Sequence, residues 1–310
     1  MTINSIWKSG LALLTLGIFI SQNSAQAQSF RPLTADEKNA YPDNQAILLT
    51  LENKADSIIA SKNHLTPQQA KEQLKASINK KVKIKAVKPN NKVLSSEEIV
   101  KKLKLSTVIV ADAYLCGKCA RTHIAPSSGY IIDESGIFVT NYHVVESFVK
   151  PQTNGQAKLS LQVMTWDGKV YAVSEILSAN QDMDLAIVKL NVGKDNLVPL
   201  ALGPDAEIGS EVFVLSHPHM LFDFFSKGIV ARKYSRYTRY GSKDSYPEME
   251  ITADFAAGSS GAAVVDNKGN LVSTVATTWS LYYDSQRKSD LQMVVKGTKP
   301  VICLKELLLL

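Results

Sequence analysis

The chain has 310 residues, 45% of them hydrophobic and 21% charged, with a formal net charge of +6. That length and balance suit one two-lobed globular domain with an extension, and they exclude a disordered, repeat or low-complexity protein. The positive charge is concentrated in residues 28–105, which hold fifteen Lys/Arg against eight Asp/Glu; it reads as a solvated lysine-rich surface, with attraction to anionic envelope surfaces as the sharper alternative, and nothing resembles a nucleic-acid module.

In chain order, Lys8 gives a positive start, Leu11 to Ile20 form a short apolar run, and Ala25-Gln26-Ala27 has the small-x-small form of a cleavage site. Residues 1–27 are therefore expected to be a signal peptide, with a mature start at Gln28. The apolar run is too short to span a bilayer comfortably, and no cysteine follows the cut to carry a lipid. The expected location is periplasmic or secreted, without a transmembrane anchor.

Residues 28–104 form an expected N-terminal extension. Thr66-Pro67-Gln68-Gln69 supplies an N-cap, a proline in the first turn and a capping glutamine, which predicts a helix from about Pro67 to Lys80. Val82 to Val87 alternates apolar and basic residues, as a half-exposed strand does. Ser96-Glu97-Glu98-Ile99 opens a second helix to about Leu103. A helical prelude packed on the following domain, a partner-binding arm and a propeptide all fit this segment.

Three cysteines follow: Cys116, Cys119 and Cys303. In an oxidising compartment, Cys116 and Cys119 favour a short local disulfide. His123 completes C-x2-C-x3-H spacing, so a metal clip is the alternative, although structural zinc usually takes four ligands and no second C-x-x-C exists. A redox-active pair is a third reading. Cys303, in the apolar run from Val301 to Leu310, is expected to be a buried free thiol.

From residue 105 the pattern becomes short strands separated by turn signals. The expected strands are Thr107–Ala111, Gly129–Asp133, Phe138–Thr140, Leu159–Met164, Val170–Ile176, Leu185–Leu190, Glu211–Leu215, Gly228–Arg232, Glu248–Thr252, Ala263–Asp266, Leu271–Ala276 and Leu291–Val295. Asp266-Asn267-Lys268-Gly269 reads as a tight hairpin turn.

Three segments in this region carry chemistry. They are Thr140-Asn141-Tyr142-His143-Val144-Val145, Asp184-Leu185-Ala186-Ile187-Val188-Lys189 and Gly258-Ser259-Ser260-Gly261-Ala262. A serine hydroxyl needs an adjacent base to act as a nucleophile. An imidazole supplies one near neutral pH, and a carboxylate behind it fixes the tautomer. These residues assign Ser260 as nucleophile, His143 as general base and acid, and Asp184 as the orienting carboxylate. A tetrahedral oxyanion needs convergent backbone N–H groups, and Gly258 and Ser260 are the expected donors. This chemistry requires no metal or organic cofactor.

The order His, Asp, Ser and the three motifs resemble the trypsin-like peptidases of the chymotrypsin superfamily, nearest to the bacterial HtrA/Deg branch. Ser128-Gly129-Tyr130 to Gly136 also resembles the glycine-turn-strand that precedes the histidine there. Ser259 stands where that branch usually has Asn, and Ala262 replaces a second glycine. No PDZ domain is expected after Leu310.

The resemblance implies an all-β fold of two six-stranded antiparallel barrels over residues 105–310, with a closing helix from Thr298 to Leu308. The triad would lie in the cleft between the barrels. It implies a serine endopeptidase acting on proteins or peptides; the alternative is an inactive protease-like binding protein of the envelope. Asp254, six residues before the nucleophile, would sit at the base of the primary specificity pocket and favour Lys or Arg, unless the loop takes another path and Asp254 meets solvent or a local cation. Ala276, Thr277 and Thr278 would form the pocket wall and pair with substrate as an added strand. Ser216 to Phe225, with two histidines, reads as a hydrophobic loop near the cleft; zinc inhibition or a pH switch is the sharper alternative. Arg236, Arg239 and Lys243 with Tyr234, Tyr237, Tyr240 and Tyr246 form a basic aromatic loop, either a substrate contact or a solvated rim.

Overall fold

A computed structural model describes residue 34 and residues 41–151, 155–238 and 243–309. The expected signal peptide, and Arg239 and Tyr240 of the basic loop, lie outside the described residues. Residues Asp43 to Leu310 form one unit. Among the described residues no helix is long and apolar enough to cross a membrane.

The unit begins with helix α1 (Asn44–Ser61), whose first turn is capped by the Asp43 carboxylate accepting from the Gln45 and Ala46 N–H groups. Helix α2 (Pro67–Ala76) follows, closed by the expected capping box of Thr66 and Gln69. Strand β1 is only Val82–Lys83, because the chain turns away after it and the Lys85 N–H is taken by the Asp133 carboxylate at 2.7 Å. The alternation to Val87 therefore over-predicts this strand. Helix α3 (Ser96–Ser106) has a second capping box, Ser95 with Glu98.

The first barrel comprises β2 (Thr107–Leu115), β3 (Thr122–Asp133), β4 (Ile137–Thr140), β5 (Ala157–Met164), β6 (Val170–Asn180) and β7 (Leu185–Leu190), with helix α4 (Tyr142–Val149) between β4 and β5. Its strands close in the order β2-β3-β4-β7-β6-β5. The second barrel comprises β8 (Glu211–Ser216), β9 (Phe224–Tyr237), β10 (Ser245–Ile251), β11 (Ala263–Val265), β12 (Leu271–Asp284) and β13 (Ser289–Pro300), closing as β8-β9-β10-β13-β12-β11. Helix α5 is shorter than expected, Val301–Lys305, because Thr298 to Pro300 remain on β13 and Leu308–Leu309 form β14 beside β1. All twelve expected barrel strands are present, and pairing across the barrels extends several beyond their sequence limits.

The period-2 alternation of the strands decides what each face meets. Ile131, Phe138, Val163 and Val188 fill the first barrel with Phe148 of α4 and Leu74 of α2. Val212, Val214, Val230 and Val264 fill the second. The opposite faces of the same strands, Tyr130 and Ile132 on one side and Phe213 and Leu215 on the other, meet between the barrels. Ile99 and Leu103 of α3 and Leu304 of α5 close that seam. Tyr130 Oη and Thr274 Oγ1 share a hydrogen bond of 2.7 Å across it. Leu51 and Ala55 dock α1 on the outer face of β2 and β3. Cys303 is buried, with its thiol near the Pro247 carbonyl and pushed up to about 12 by burial.

Candidate active site

His143 opens α4, Asp184 follows the turn into β7, and Ser260 follows the turn before β11. His143 Nε2 lies 3.0 Å from Ser260 Oγ, and His143 Nδ1 lies 2.9 Å from Asp184 Oδ2. Asp184 Oδ1 also accepts the His143 backbone N–H at 3.0 Å, and Asn141 Nδ2 donates to the Asp184 carbonyl at 2.8 Å. The carboxylate thus holds the histidine by both ring and backbone. Asp184 adopts φ 48°, a costly region for a non-glycine residue, held here by these contacts. The three side chains line one cleft of about 520 Å³ with Phe255, Ala256, Ala257 and Val275 to Thr278.

The turn holding Ser260 is fixed through its carbonyls. The Ala257 carbonyl accepts the His219 N–H at 2.8 Å, and the Ser259 carbonyl accepts the Ala262 N–H at 3.0 Å. A trans amide points its N–H opposite its C=O. Tying those two carbonyls therefore turns the N–H groups of Gly258 and Ser260 the other way, and neither donates to a partner among the described residues. Gly258 has φ 97°, and a Cβ there would lie 2.6 Å from the His217 carbonyl.

Ser128 and His217 brace this turn, and neither role was expected from sequence. The Ser128 N–H donates to the Ser260 carbonyl at 3.0 Å, and its Oγ donates to the Gly258 carbonyl at 2.9 Å while accepting the His217 N–H at 3.2 Å. Ser259 Oγ reaches Ser216 Oγ at 3.0 Å. The loop from Ser216 is thus packed beneath the turn, in line with the blander of its two readings.

His217 is wholly buried, and burial holds its imidazole down to about 4, outweighing the Asp223 charge and the Val108 backbone, which act to raise it. The sign follows from proton linkage. Between pH 4 and the unfolded value of 6.5 the unfolded chain binds a proton that the folded protein does not, so stability is lost as pH falls through that window and is fully present above it. Asp112, raised to about 6 by burial against the pull of Lys158, slopes the opposite way, so the test is a difference between two proteins. Relative to about pH 7.5, the stability gap between wild type and His217→Asn is expected to shrink by up to roughly 3 kcal/mol at about pH 4.5 in chemical denaturation. A gap independent of pH contradicts this account.

Asp254 does not line the cleft. Its side chain is 78% exposed and its carboxylate pairs with Lys296 at 3.3 Å. Lys296 Nζ also donates to the Phe255 carbonyl at 2.5 Å. Ala276, Thr277 and Thr278 do line it. Val275 still bonds the turn, through its carbonyl to the Gly261 N–H and its N–H to the Ala262 carbonyl; beyond it, among the described residues, β12 keeps only β13 as a strand neighbour, which leaves its other edge open from Ala276 beside Ser260. Arg236 of the basic loop pairs with Glu248 at 3.5 Å, on the side of a solvated rim.

Cys116 and Cys119 stand at the tip of the β2–β3 hairpin, with sulfurs 3.4 Å apart and both thiols free. His123 Nε2 lies 3.1 Å from Cys119 Sγ. The Lys118 backbone N–H, followed by Cys119, holds the Cys116 thiol down to about 7.

Two closed six-stranded antiparallel barrels, with a histidine, an aspartate and a serine converging in one cleft, define the class of the trypsin-like peptidases. Residues 127–273, just under half of the chain, match the family model described as the trypsin-like peptidase domain. Over these residues the chain is similar to that family, and the chymotrypsin superfamily fits the fold. It is 24% identical over 156 residues to "Protease Do-like 5, chloroplastic" of Arabidopsis thaliana, covering 49% of this chain and 48% of the relative. It is 28% identical over 151 residues to a "Probable periplasmic serine endoprotease DegP-like" of Brucella suis, covering 48% and 27%. It is 27% identical over 152 residues to "Serine protease HTRA3" of Homo sapiens, covering 48% and 32%. The matches thus span about half or less of these relatives.

Proposed function

We propose that the protein is an exported serine endopeptidase that hydrolyses protein substrates through His143, Asp184 and Ser260 and an acyl-enzyme. The observation that carries this reading is the unbroken chain of contacts from Asp184 to His143 Nδ1 and from His143 Nε2 to Ser260 Oγ, at 2.9 and 3.0 Å. In the proposed reaction Ser260 Oγ attacks the scissile carbonyl carbon as His143 Nε2 takes its proton. The carbonyl oxygen becomes an oxyanion facing the N–H groups of Gly258 and Ser260. His143 then protonates the leaving amine, and the C–N bond breaks to leave the acyl ester on Ser260. Water, deprotonated by the same nitrogen, attacks that ester and restores the serine.

The substrate would add as a strand along the open edge of β12 at Ala276 to Thr278. Asp254 is held outward by Lys296, and Phe255, Ala256, Val275 and Ala276 give the cleft an apolar lining. The reading this supports is a small or aliphatic side chain before the cut, rather than Lys or Arg. Export rests on residues 1–27, and the periplasmic name of one relative agrees with it.

The test is digestion of an unfolded protein with sequencing of the new termini. Cuts after small aliphatic residues, absent with Ser260→Ala, are expected. Cuts confined to Lys and Arg would return Asp254 to the pocket, and no cleavage by folded enzyme would favour the binding-protein alternative.

A further inference from the structure

The hairpin tip of the first barrel carries a group of ligand atoms that the proposed hydrolysis does not use. Cys116 Sγ, Cys119 Sγ and His123 Nε2 all lie within 4.8 Å of one another, and no other group of His, Cys, Asp and Glu among the described residues converges in this way. We propose that they form a binding site for one thiophilic d10 cation, zinc(II) or copper(I).

The hairpin builds the site before any metal arrives. Leu115 pairs with Thr122 and Tyr114 with His123, so the register of β2 on β3 sets the imidazole beside the turn. Gly117 takes φ 74° and lets the chain reverse between the two cysteines. The Lys118 backbone N–H points at Cys116 Sγ, 3.4 Å away, as an amide does when it supports a thiolate. The tip of the hairpin is anchored on α1 between Cys119 and His123, through Thr122 to Asp56 at 2.6 Å and Arg121 to Glu52 at 3.2 Å. The ligands thus sit on a braced strand end.

The distances suit a cation. With metal–sulfur and metal–nitrogen bonds of about 2.3 and 2.0 Å, tetrahedral ligands stand about 3.8 Å apart for two sulfurs and about 3.5 Å for sulfur and nitrogen. The observed 3.4 and 3.1 Å need each contact to open by a few tenths of an ångström. A disulfide requires the two sulfurs to close by more than an ångström, to about 2.05 Å. Two thiolates and an imidazole are soft ligands of the kind that select zinc or copper(I). Cys119 is exposed and the other two half-exposed, which leaves the outer coordination position to water for zinc, or open for three-coordinate copper(I). Binding releases the two thiol protons and changes no oxidation state.

The experiment uses the purified protein, reduced, stripped with chelator and kept without oxygen. Zinc(II) is titrated against a chromophoric chelator, and copper(I) against a copper(I)-specific chromophore. One equivalent of one or both is expected, with affinity at least a hundred-fold weaker in Cys119→Ser and His123→Ala. Cobalt(II) added to wild type is expected to give thiolate-to-cobalt charge-transfer absorption that Cys119→Ser lacks. The melting temperatures of the metal-free variants check that they are folded. The two chromophores decide between the metals. Substoichiometric binding, or an affinity unchanged by both substitutions, overturns the site. So does a Cys116–Cys119 disulfide in the isolated protein that re-forms under air in the presence of saturating metal. Peptide hydrolysis has no part in the readout, so the outcome is independent of the triad.

Discussion

Ser260→Ala and His143→Ala are each expected to lower kcat/KM for a peptide substrate by about 10^4 to 10^6-fold, or roughly 5 to 8 kcal/mol of transition-state stabilisation. The double variant should be scarcely worse than either alone, because His143 can take no proton from a residue that has none, and Ser260 gains nothing from a base that is missing. Asp184→Asn makes the sharper test. The substituted carboxamide can still accept the His143 backbone N–H through its oxygen, so the local fold should hold. Its amide nitrogen, however, faces a ring nitrogen that must now accept, which moves the imidazole proton to Nε2, toward Ser260. In that tautomer Nε2 cannot take the serine proton. A loss of about 10^4-fold in kcat is expected with KM nearly unchanged. Initial rates on a peptide ester and amide, with circular dichroism of each variant, check this; a loss below ten-fold in any of the three would contradict the roles assigned.

Gly258→Ala carries the second large effect. The φ of 97° strains any side chain, and the added Cβ would meet the His217 carbonyl at 2.6 Å and the His219 nitrogen at 3.1 Å. Both are backbone atoms of a segment pinned on either side of that carbonyl, by the His217 N–H on Ser128 Oγ and the His219 N–H on the Ala257 carbonyl, so relief by moving them is costly. The least costly relief is rotation of the 257–258 peptide, which takes the Gly258 N–H out of the oxyanion position. Removing one such donor lowers kcat by about 10^2 to 10^3-fold. Gly168→Ala is the control: its φ is 77°, but nothing lies within 4 Å of the new Cβ. That variant should lose about 1 kcal/mol of stability and no catalysis. Equal kcat for Gly258→Ala and wild type would mean that Gly258 gives no donor to the reaction.

These two predictions differ in how much of their basis the sequence carries. His143, Asp184 and Ser260 stand in three short contiguous motifs, so their residue types and order were legible without coordinates. So were the twelve barrel strands, because a half-buried strand alternates with period two whatever its neighbours. Ser128 was legible only as part of a turn: its bonds to the Gly258 and Ser260 carbonyls bridge about 130 residues of sequence. The outward path of Asp254 depends on Lys296, which arrives from β13. Helix α1 is not legible in the sequence because its buried face is narrow, Leu51 and Ala55, and its Asp43 cap has no partner glutamate or glutamine three residues on. The closing helix starts later than its sequence suggests because Thr298 to Pro300 pair with β12 residues that no local pattern announces.

The most direct measurement is the reaction of the folded protein with a fluorophosphonate, followed by mass spectrometric location of the adduct. A single adduct on Ser260, lost in His143→Ala, is the result this account predicts. A folded protein that takes up no probe, or takes it up equally without His143, would contradict an assembled catalytic triad.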